Sequence, residues 1–244
     1  LASGEFTKQI RRTVYILRFL GILALTFFYG VRVYIYMKIM GNKTIFPIQA
    51  MSWAKKILWI SGITLTIKNI HNVNLHNDYV VTPNHCSLMD IPVLIASIPS
   101  IRIMYKKDLE KVPIFGWIMK NSPFIPIVRE ERKKAFETIH QTIETMRLGS
   151  SVVVFPEGTR STDGLLGEFK RGAFYLATKA EKPILPVGII GTINVLPINS
   201  IKLVPNKVTL SIAEPIAVST ELSRAEEKAL INTVRNNVLE LITH

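Results

Sequence analysis

Tyr79-Val80-Val81-Thr82-Pro83-Asn84-His85-Cys86-Ser87-Leu88-Met89-Asp90 is the stretch on which the architecture of this chain turns. Its first four residues are a short, largely apolar run that predicts a buried strand closing at Pro83. Ser87, with an acid three positions on, is a capping-box pattern, so a helix is expected over about Asp90–Ser97. A strand that feeds directly into a helix is half of a βα unit. A histidine at the strand end, followed five residues later by a carboxylate, can also form a general base whose ring the acid orients. On one helix the two side chains would stand about 140° apart. They meet only if His85 stays in the loop and Asp90 occupies the first helical turn. Two roles stay open for each residue. Asp90 caps a helix or orients a base; His85 is that base or bonds a buried carbonyl.

Outward from this segment, strands and helices alternate from Ile63 onward. Strand candidates are Ile63–Lys68, Tyr79–Thr82, Ile101–Tyr105, Phe124–Val128, Ser151–Phe155, Ile184–Ile190 and Val208–Ala213. Several are continuous β-branched runs, as expected when helices cover both faces of a sheet. Helix candidates are about Asp90–Ser97, Ile114–Lys120, Glu130–Met146, Arg171–Ala180 and Glu221–Ile242. Ala135, Ile139 and Ile143 mark one apolar face, and Leu230, Val234, Val238 and Leu241 another. The expected fold class is α/β, a mainly parallel or mixed sheet of about seven strands covered by helices. Active residues are then expected at strand ends and in the loops that follow.

The chain holds 244 residues with a formal net charge of +12 and one cysteine, Cys86. A single cysteine rules out an internal disulfide framework and a Cys-based zinc site. Residues 1–62 carry nine Lys and Arg against Glu5 alone, so +8 of the +12 lies in the first quarter. The same quarter contains Phe19-Leu20-Gly21-Ile22-Leu23-Ala24-Leu25-Thr26-Phe27-Phe28-Tyr29. Nucleic-acid binding explains the charge but not the grease. An anionic membrane surface explains both.

Thirteen uncharged residues separate Arg18 from Arg32, fewer than the roughly 20 that a hydrocarbon core requires. A window from Thr13 to Met37 reaches that length if both arginines snorkel. A second helix is expected over about Phe46–Ser61, with Met51, Ala54 and Leu58 on one face and Trp53 beside Lys55 and Lys56. Gly41-Asn42-Lys43 marks the turn between the two. The segment is read as a two-helix, membrane-associating motif over 1–61 that dips into one leaflet on the cytoplasmic face of the cell membrane. A domain over 62–244 then carries the chemistry. Two helices packed on that domain, or one true span, are the alternatives.

Three further stations accompany His85 and Asp90. Phe155-Pro156-Glu157-Gly158-Thr159-Arg160-Ser161 lies at another strand end. Gly158 permits close backbone approach, Thr159 and Ser161 bring hydroxyls, and Arg160 offers a planar fork suited to phosphate. Glu157 either binds hydroxyls or holds Arg160. Lys106, at one strand end, and Arg129, at another, are placed to converge on a phosphate. Pro183 and Pro186 flank a strand start and shape a wall. Cys86 and Ser87 adjoin His85, but no Gly-x-Ser-x-Gly elbow surrounds the serine. His71, His76, His140 and His244 show no metal-ligand spacing, and the chain has no Gly-x-x-x-x-Gly-Lys phosphate loop.

In this order the motifs resemble those of the glycerolipid acyltransferase family, specifically its 1-acylglycerol-3-phosphate (lysophosphatidate) acyltransferases. His85 and Asp90 match the first motif, and Phe155 through Ser161 match the third. Lys106, Leu109, Pro113, Gly116, Trp117, Ile127 and Arg129 fit the second, where Pro123 replaces the usual glycine and Pro126 the usual aromatic residue. Pro183 and Pro186 meet the fourth. The resemblance implies that His85, oriented by Asp90, takes the proton from the free hydroxyl of lysophosphatidic acid. The oxygen then attacks the thioester of acyl-coenzyme A or acyl-carrier protein, giving phosphatidic acid. It implies phosphate binding by Arg160 and Lys106, then Arg129, with Glu157, Gly158 and Thr159 lining the site. No cofactor and no metal are expected. The expected partners are lysophosphatidic acid, the acyl carrier and anionic membrane lipids, with no nucleic acid. The rival functions are acyl transfer to another lysolipid, a lipid esterase using Ser87 or Cys86, and a non-enzymatic lipid-binding protein.

Overall fold

The computed structural model describes residues 2–42, 44–128, 132–147 and 149–243. The chain begins with the long helix α1 (Ala2–Tyr34), which runs on through a π-helical turn (Ile35–Ile39), and then α2 (Ile45–Ser61). Next come β1 (Ile63–Lys68), β2 (Val80–Pro83), α3 (Asp90–Ser97), β3 (Ile101–Lys106) and a 3-10 turn (Lys107–Lys111). They are followed by α4 (Phe115–Asn121), β4 (Ile125–Ile127), α5 (Arg132–Arg147), β5 (Ser151–Val153) and α6 (Gly172–Ala180). The chain closes with β6 (Ile184–Ile190), the short α7 (Thr192–Val195), β7 (Asn206–Ile212) and α8 (Arg224–Thr243).

Seven strands form one sheet in the order β1-β7-β6-β2-β5-β3-β4. All neighbours run parallel except β6 and β7, which pair antiparallel from Val187↔Ile212 to Ile190↔Thr209. The mixed α/β sheet expected from the alternation is therefore present, with β2 at its centre. Period-two alternation divides the strand side chains between two cores. Val81, Ile103, Val153 and Leu185 face one side, where α2 and α3 pack with Ala54, Ile57, Val93 and Leu94. Val80, Met104, Val152 and Ile184 face the other, against Ile139 and Ile143 of α5, Phe174 of α6 and Val234 of α8.

Boundaries moved where local chemistry outweighed hydrophobic pattern. The last helix, expected from Glu221, begins at Arg224. Ser223 N–H donates to Glu226 Oε2 at 2.7 Å and Glu226 N–H to Ser223 Oγ at 3.3 Å, a reciprocal capping box that sets the start. β5, expected to reach Phe155, ends at Val153, just ahead of Pro156, which has no N–H to donate.

The two N-terminal helices form as expected, but their packing is closer than an appended anchor requires. Ala54, Ile57 and Leu58 of α2 belong to the same core as the sheet. Tyr29 Oη lies 2.7 Å from Ser52 Oγ, and Trp53 Nε1 donates to Thr26 Oγ1 at 3.1 Å, joining α1 to α2. The stretch Arg11–Ile39 is long and apolar enough, by length and composition, to cross a membrane. Its outer face shows Leu17, Leu20, Leu23 and Phe27, spaced three or four residues apart and exposed, and α2 adds Trp59, 81% exposed.

Candidate active site

β2 ends at Pro83, which cannot donate to its neighbour strand. Asn84 continues the ladder with its side chain: Nδ2 donates to Ile189 O at 2.9 Å and Ile189 N–H donates to Oδ1 at 2.7 Å. This buried amide clamps the chain to the end of β6 and delivers His85 at the C-terminal edge of the sheet. There the His85 ring stacks on Phe155 with centroids 3.8 Å apart.

The His85–Asp90 pair closes across the loop. His85 Nδ1 lies 2.8 Å from Asp90 Oδ2, with the imidazole 16% exposed and the carboxylate 1% exposed. The same oxygen accepts the N–H groups of Cys86 at 2.8 Å and Ser87 at 2.9 Å. The expected capping box is half made. Asp90 reaches back to Ser87 N–H, but Ser87 Oγ takes the N–H of Met89 at 3.2 Å and not that of Asp90. Met89 stands at the N-cap and no side chain caps it. Ser87 Oγ turns instead to donate to Leu196 O at 2.7 Å. Asp90 therefore both knots the loop and holds the ring.

Glu157 supplies the second bracket, and its place corrects the expectation that it lines the site. Oε1 accepts His85 N–H at 2.8 Å and Oε2 accepts Gly167 N–H at 2.9 Å. Both oxygens are spent on backbone, behind the wall rather than in the opening. Burial pushes the Glu157 carboxyl above its ordinary pKa, against the lowering effect of those two N–H bonds. His85 O in turn accepts Ser161 N–H at 2.8 Å. Gly158 sits in this loop at φ +76°, and a Cβ there would lie 2.9 Å from Lys170 Nζ. Lys170, which the motif spacing did not single out, thus brings its ammonium to the Gly158 loop.

A cavity of ≈ 340 Å³ opens in front of His85. Lys106, Gly158, Thr159 and Arg160 all border it, so the structure brings these four expected residues together with His85. Lys106 Nζ also meets Asp108 Oδ2 at 3.0 Å. Arg129 lies outside the described residues. The rest of the lining is mostly apolar, and much of it comes from segments that the motifs do not include. α1 contributes Thr26, Tyr29, Gly30 and Val33, while α2 contributes Phe46, Gln49, Ala50 and Trp53. The N-terminal helices are one wall of the site. Only an amphipathic reading of both faces of α1 would have found this in the sequence.

Cys86 and Ser87, beside His85, are both buried. Burial, reinforced by the charge of Asp90, pushes the Cys86 thiol up to about 11, which leaves little thiolate near neutrality. Ser87 is fully buried, its hydroxyl committed to Leu196. A base held by a carboxylate beside a greasy, cation-edged cavity suits proton removal from an amphiphilic anion's hydroxyl.

Comparison with known proteins bears on this geometry. Residues 64–190 match the family profile described as Acyltransferase. The chain is 36% identical over 121 residues to a chloroplastic 1-acyl-sn-glycerol-3-phosphate acyltransferase of Brassica napus, covering 50% of this chain and 35% of that protein. It is 32% identical over 194 residues to a 1-acyl-sn-glycerol-3-phosphate acyltransferase of Saccharomyces cerevisiae, covering 78% of this chain and 62% of that one. The chain thus spans about a third of the first curated relative and under two thirds of the yeast protein. The crystal structure of a 1-acyl-sn-glycerophosphate acyltransferase from Thermotoga maritima superposes with a TM-score of 0.77 at 26% identity, covering 96% of this chain and 97% of that one.

Proposed function

The chain belongs to the acyltransferase family, and from that premise we propose that it acylates the sn-2 hydroxyl of lysophosphatidic acid to give phosphatidic acid. The observation that carries this is the His85–Asp90 pair, 2.8 Å apart, facing a cavity edged by Lys106 and Arg160. The acceptor hydroxyl loses its proton to His85 Nε2 while Asp90 holds the Nδ1–H side of the ring. The alkoxide-like oxygen attacks the thioester carbonyl of acyl-coenzyme A or acyl-carrier protein. The new ester C–O bond forms, the C–S bond breaks, and the imidazolium returns the proton to the departing thiolate. No acyl-enzyme and no cofactor enter this scheme. A positioned base contributes roughly 10²–10⁴ in rate, so alignment of the two substrates must contribute more.

Arg160 and Lys106 bind the acceptor phosphate, with Lys170 near the Gly158 loop as a third cation and Arg129 as a fourth. Gly158 and Thr159 line the glycerol end, and Glu157 keeps His85 and Gly167 in register. The two N-terminal helices lie at an anionic membrane, on the cytoplasmic face, with their outer faces in lipid and their inner faces on the acyl chains. The test is thiol release from acyl-coenzyme A and acyl-carrier protein, measured with and without lysophosphatidic acid, for the parent protein and His85→Ala. Release that requires the acceptor and is lost in His85→Ala is expected. Near-normal turnover by His85→Ala, or release without any acceptor, would sink the proposal. Preference for a lysolipid with a larger head group would move the reading to that acceptor.

A further inference from the structure

We propose that the tip formed by Lys111-Val112-Pro113-Ile114, with Trp117 behind it, is a second membrane-docking element that inserts into an anionic lipid surface beside α1. Four consecutive residues here are exposed, and two are large and apolar: Val112 at 46% and Ile114 at 59%. Ile114 has φ 64° and ψ −59°, and Phe115 N–H donates across it to Pro113 O at 2.6 Å. This is a γ-turn of the rare positive-φ kind, strained for any residue and most of all for a β-branched one. Packing cannot be the reason for isoleucine at this point, since most of its surface faces out. Residues held in such conformations cluster at functional and ligand-contacting sites.

The tip is fastened rather than loose. Tyr105 Oη donates to Glu110 Oε1 at 3.0 Å on its entry side. Behind it α4 is locked to α1: Tyr34 and Trp117 rings meet with centroids 5.2 Å apart. Gly30 of α1 lies so close to Ile118 that a Cβ there would come within 2.5 Å of Ile118 Cγ1. The tip is thus tied to the end of α1, two turns beyond exposed Phe27 and Phe28. Its rim is basic, with Lys107, Lys111 and Lys120 exposed and Lys106 partly so. The nearby acids are both engaged, Asp108 with Lys106 and Lys111, and Glu110 with Tyr105 and Lys120. Apolar residues within a cationic rim fit an anionic bilayer interface. Continuity with the apolar outer face of α1 favours lipid over an acidic carrier protein. Leu109 and Phe115, which flank the tip, line the cavity. Docking the tip therefore sets one edge of the cavity against the bilayer.

The proposal rests on the membrane role given to α1, so the experiment probes both places. Ile114→Cys and Phe27→Cys are made separately in the full chain and labelled with an environment-sensitive fluorophore; Cys86, buried and with its thiol raised to about 11, does not compete. Each is mixed with phosphatidylglycerol–phosphatidylcholine vesicles containing chain-brominated lipids. Quenching at both positions is expected. Quenching at 27 alone overturns the tip, and quenching at neither overturns the role of α1 and the tip with it. Shielding of the probe at 114 by acyl-carrier protein without vesicles overturns lipid as the occupant. Ile114→Gly, which relieves the strain and so keeps the fold, should partition to these vesicles about tenfold more weakly. Unchanged partitioning by that variant counts against the tip.

Discussion

Asp90 Oδ2 lies 2.8 Å from His85 Nδ1 and accepts two backbone N–H groups as well, those of Cys86 and Ser87. Two backbone N–H groups already donate to this carboxylate oxygen, and an acceptor-only partner calls for the Nδ1–H tautomer, which leaves Nε2 as the acceptor of a ring that borders the cavity. The other oxygen, Oδ1, is buried with no hydrogen-bond partner among the described residues. Tying the loop and orienting the ring are thus the work of one atom.

Asp90→Asn should lower kcat by roughly 10²–10⁴ with little change in KM. The amide can present its NH₂ to Nδ1, which would favour the wrong tautomer. Steady-state thiol release paired with circular dichroism checks this. Parent-like turnover in a folded Asp90→Asn protein would remove the carboxylate from the mechanism.

Glu157→Gln should destabilise the protein by roughly 1–3 kcal/mol. Both carboxylate oxygens accept N–H bonds, from His85 and Gly167, and glutamine keeps one acceptor while setting an NH₂ against the other donor. Denaturant titration reads the difference directly. An unchanged midpoint would show that the bracket is dispensable.

Arg160→Ala should raise the KM for a phosphate-bearing acceptor roughly 10- to 100-fold, the loss of a charged hydrogen bond. The KM for the acyl donor should hardly move. Acceptor titrations at saturating donor separate the two, and an effect confined to the donor would reassign the arginine.

Alkaline pH tests the burial of Cys86. The thiol, ordinarily near 9, is raised to about 11 in the folded chain. Above pH 9 the unfolded chain releases this proton while the folded one still holds it. Stability from the buried thiol is complete below about pH 9 and is lost as pH climbs toward 11. Cys86→Ala should flatten that part of the profile in melting curves between pH 8 and 11. Parallel curves for the two proteins would show that the thiol titrates as if exposed.

Much of this was legible in order along the chain. Strand–loop–helix junctions announce themselves through local pattern, and His85 and Asp90 are close enough in sequence for spacing to decide how they meet. The Phe155–Ser161 loop was visible as a second strand end. Glu157 was misplaced in the opening because its partners, His85 N–H and Gly167 N–H, are backbone groups that any sequence supplies. Lys170 went unseen because its relation to Gly158 depends on how the chain turns between Gly158 and α6.

The sequence by itself determined the seven strands, the covering helices and the dyad, since these follow from periodicities and spacings within a few residues. Only the tertiary structure decided that α1 and α2 wall the cavity with Tyr29, Val33, Phe46 and Trp53, and that β6 meets β7 antiparallel. An apolar helix face reads the same whether it will touch lipid, core or substrate. Which of these it meets is settled by long-range packing, and here α2 gives Ala54, Ile57 and Leu58 to the core and Phe46, Gln49, Ala50 and Trp53 to the cavity.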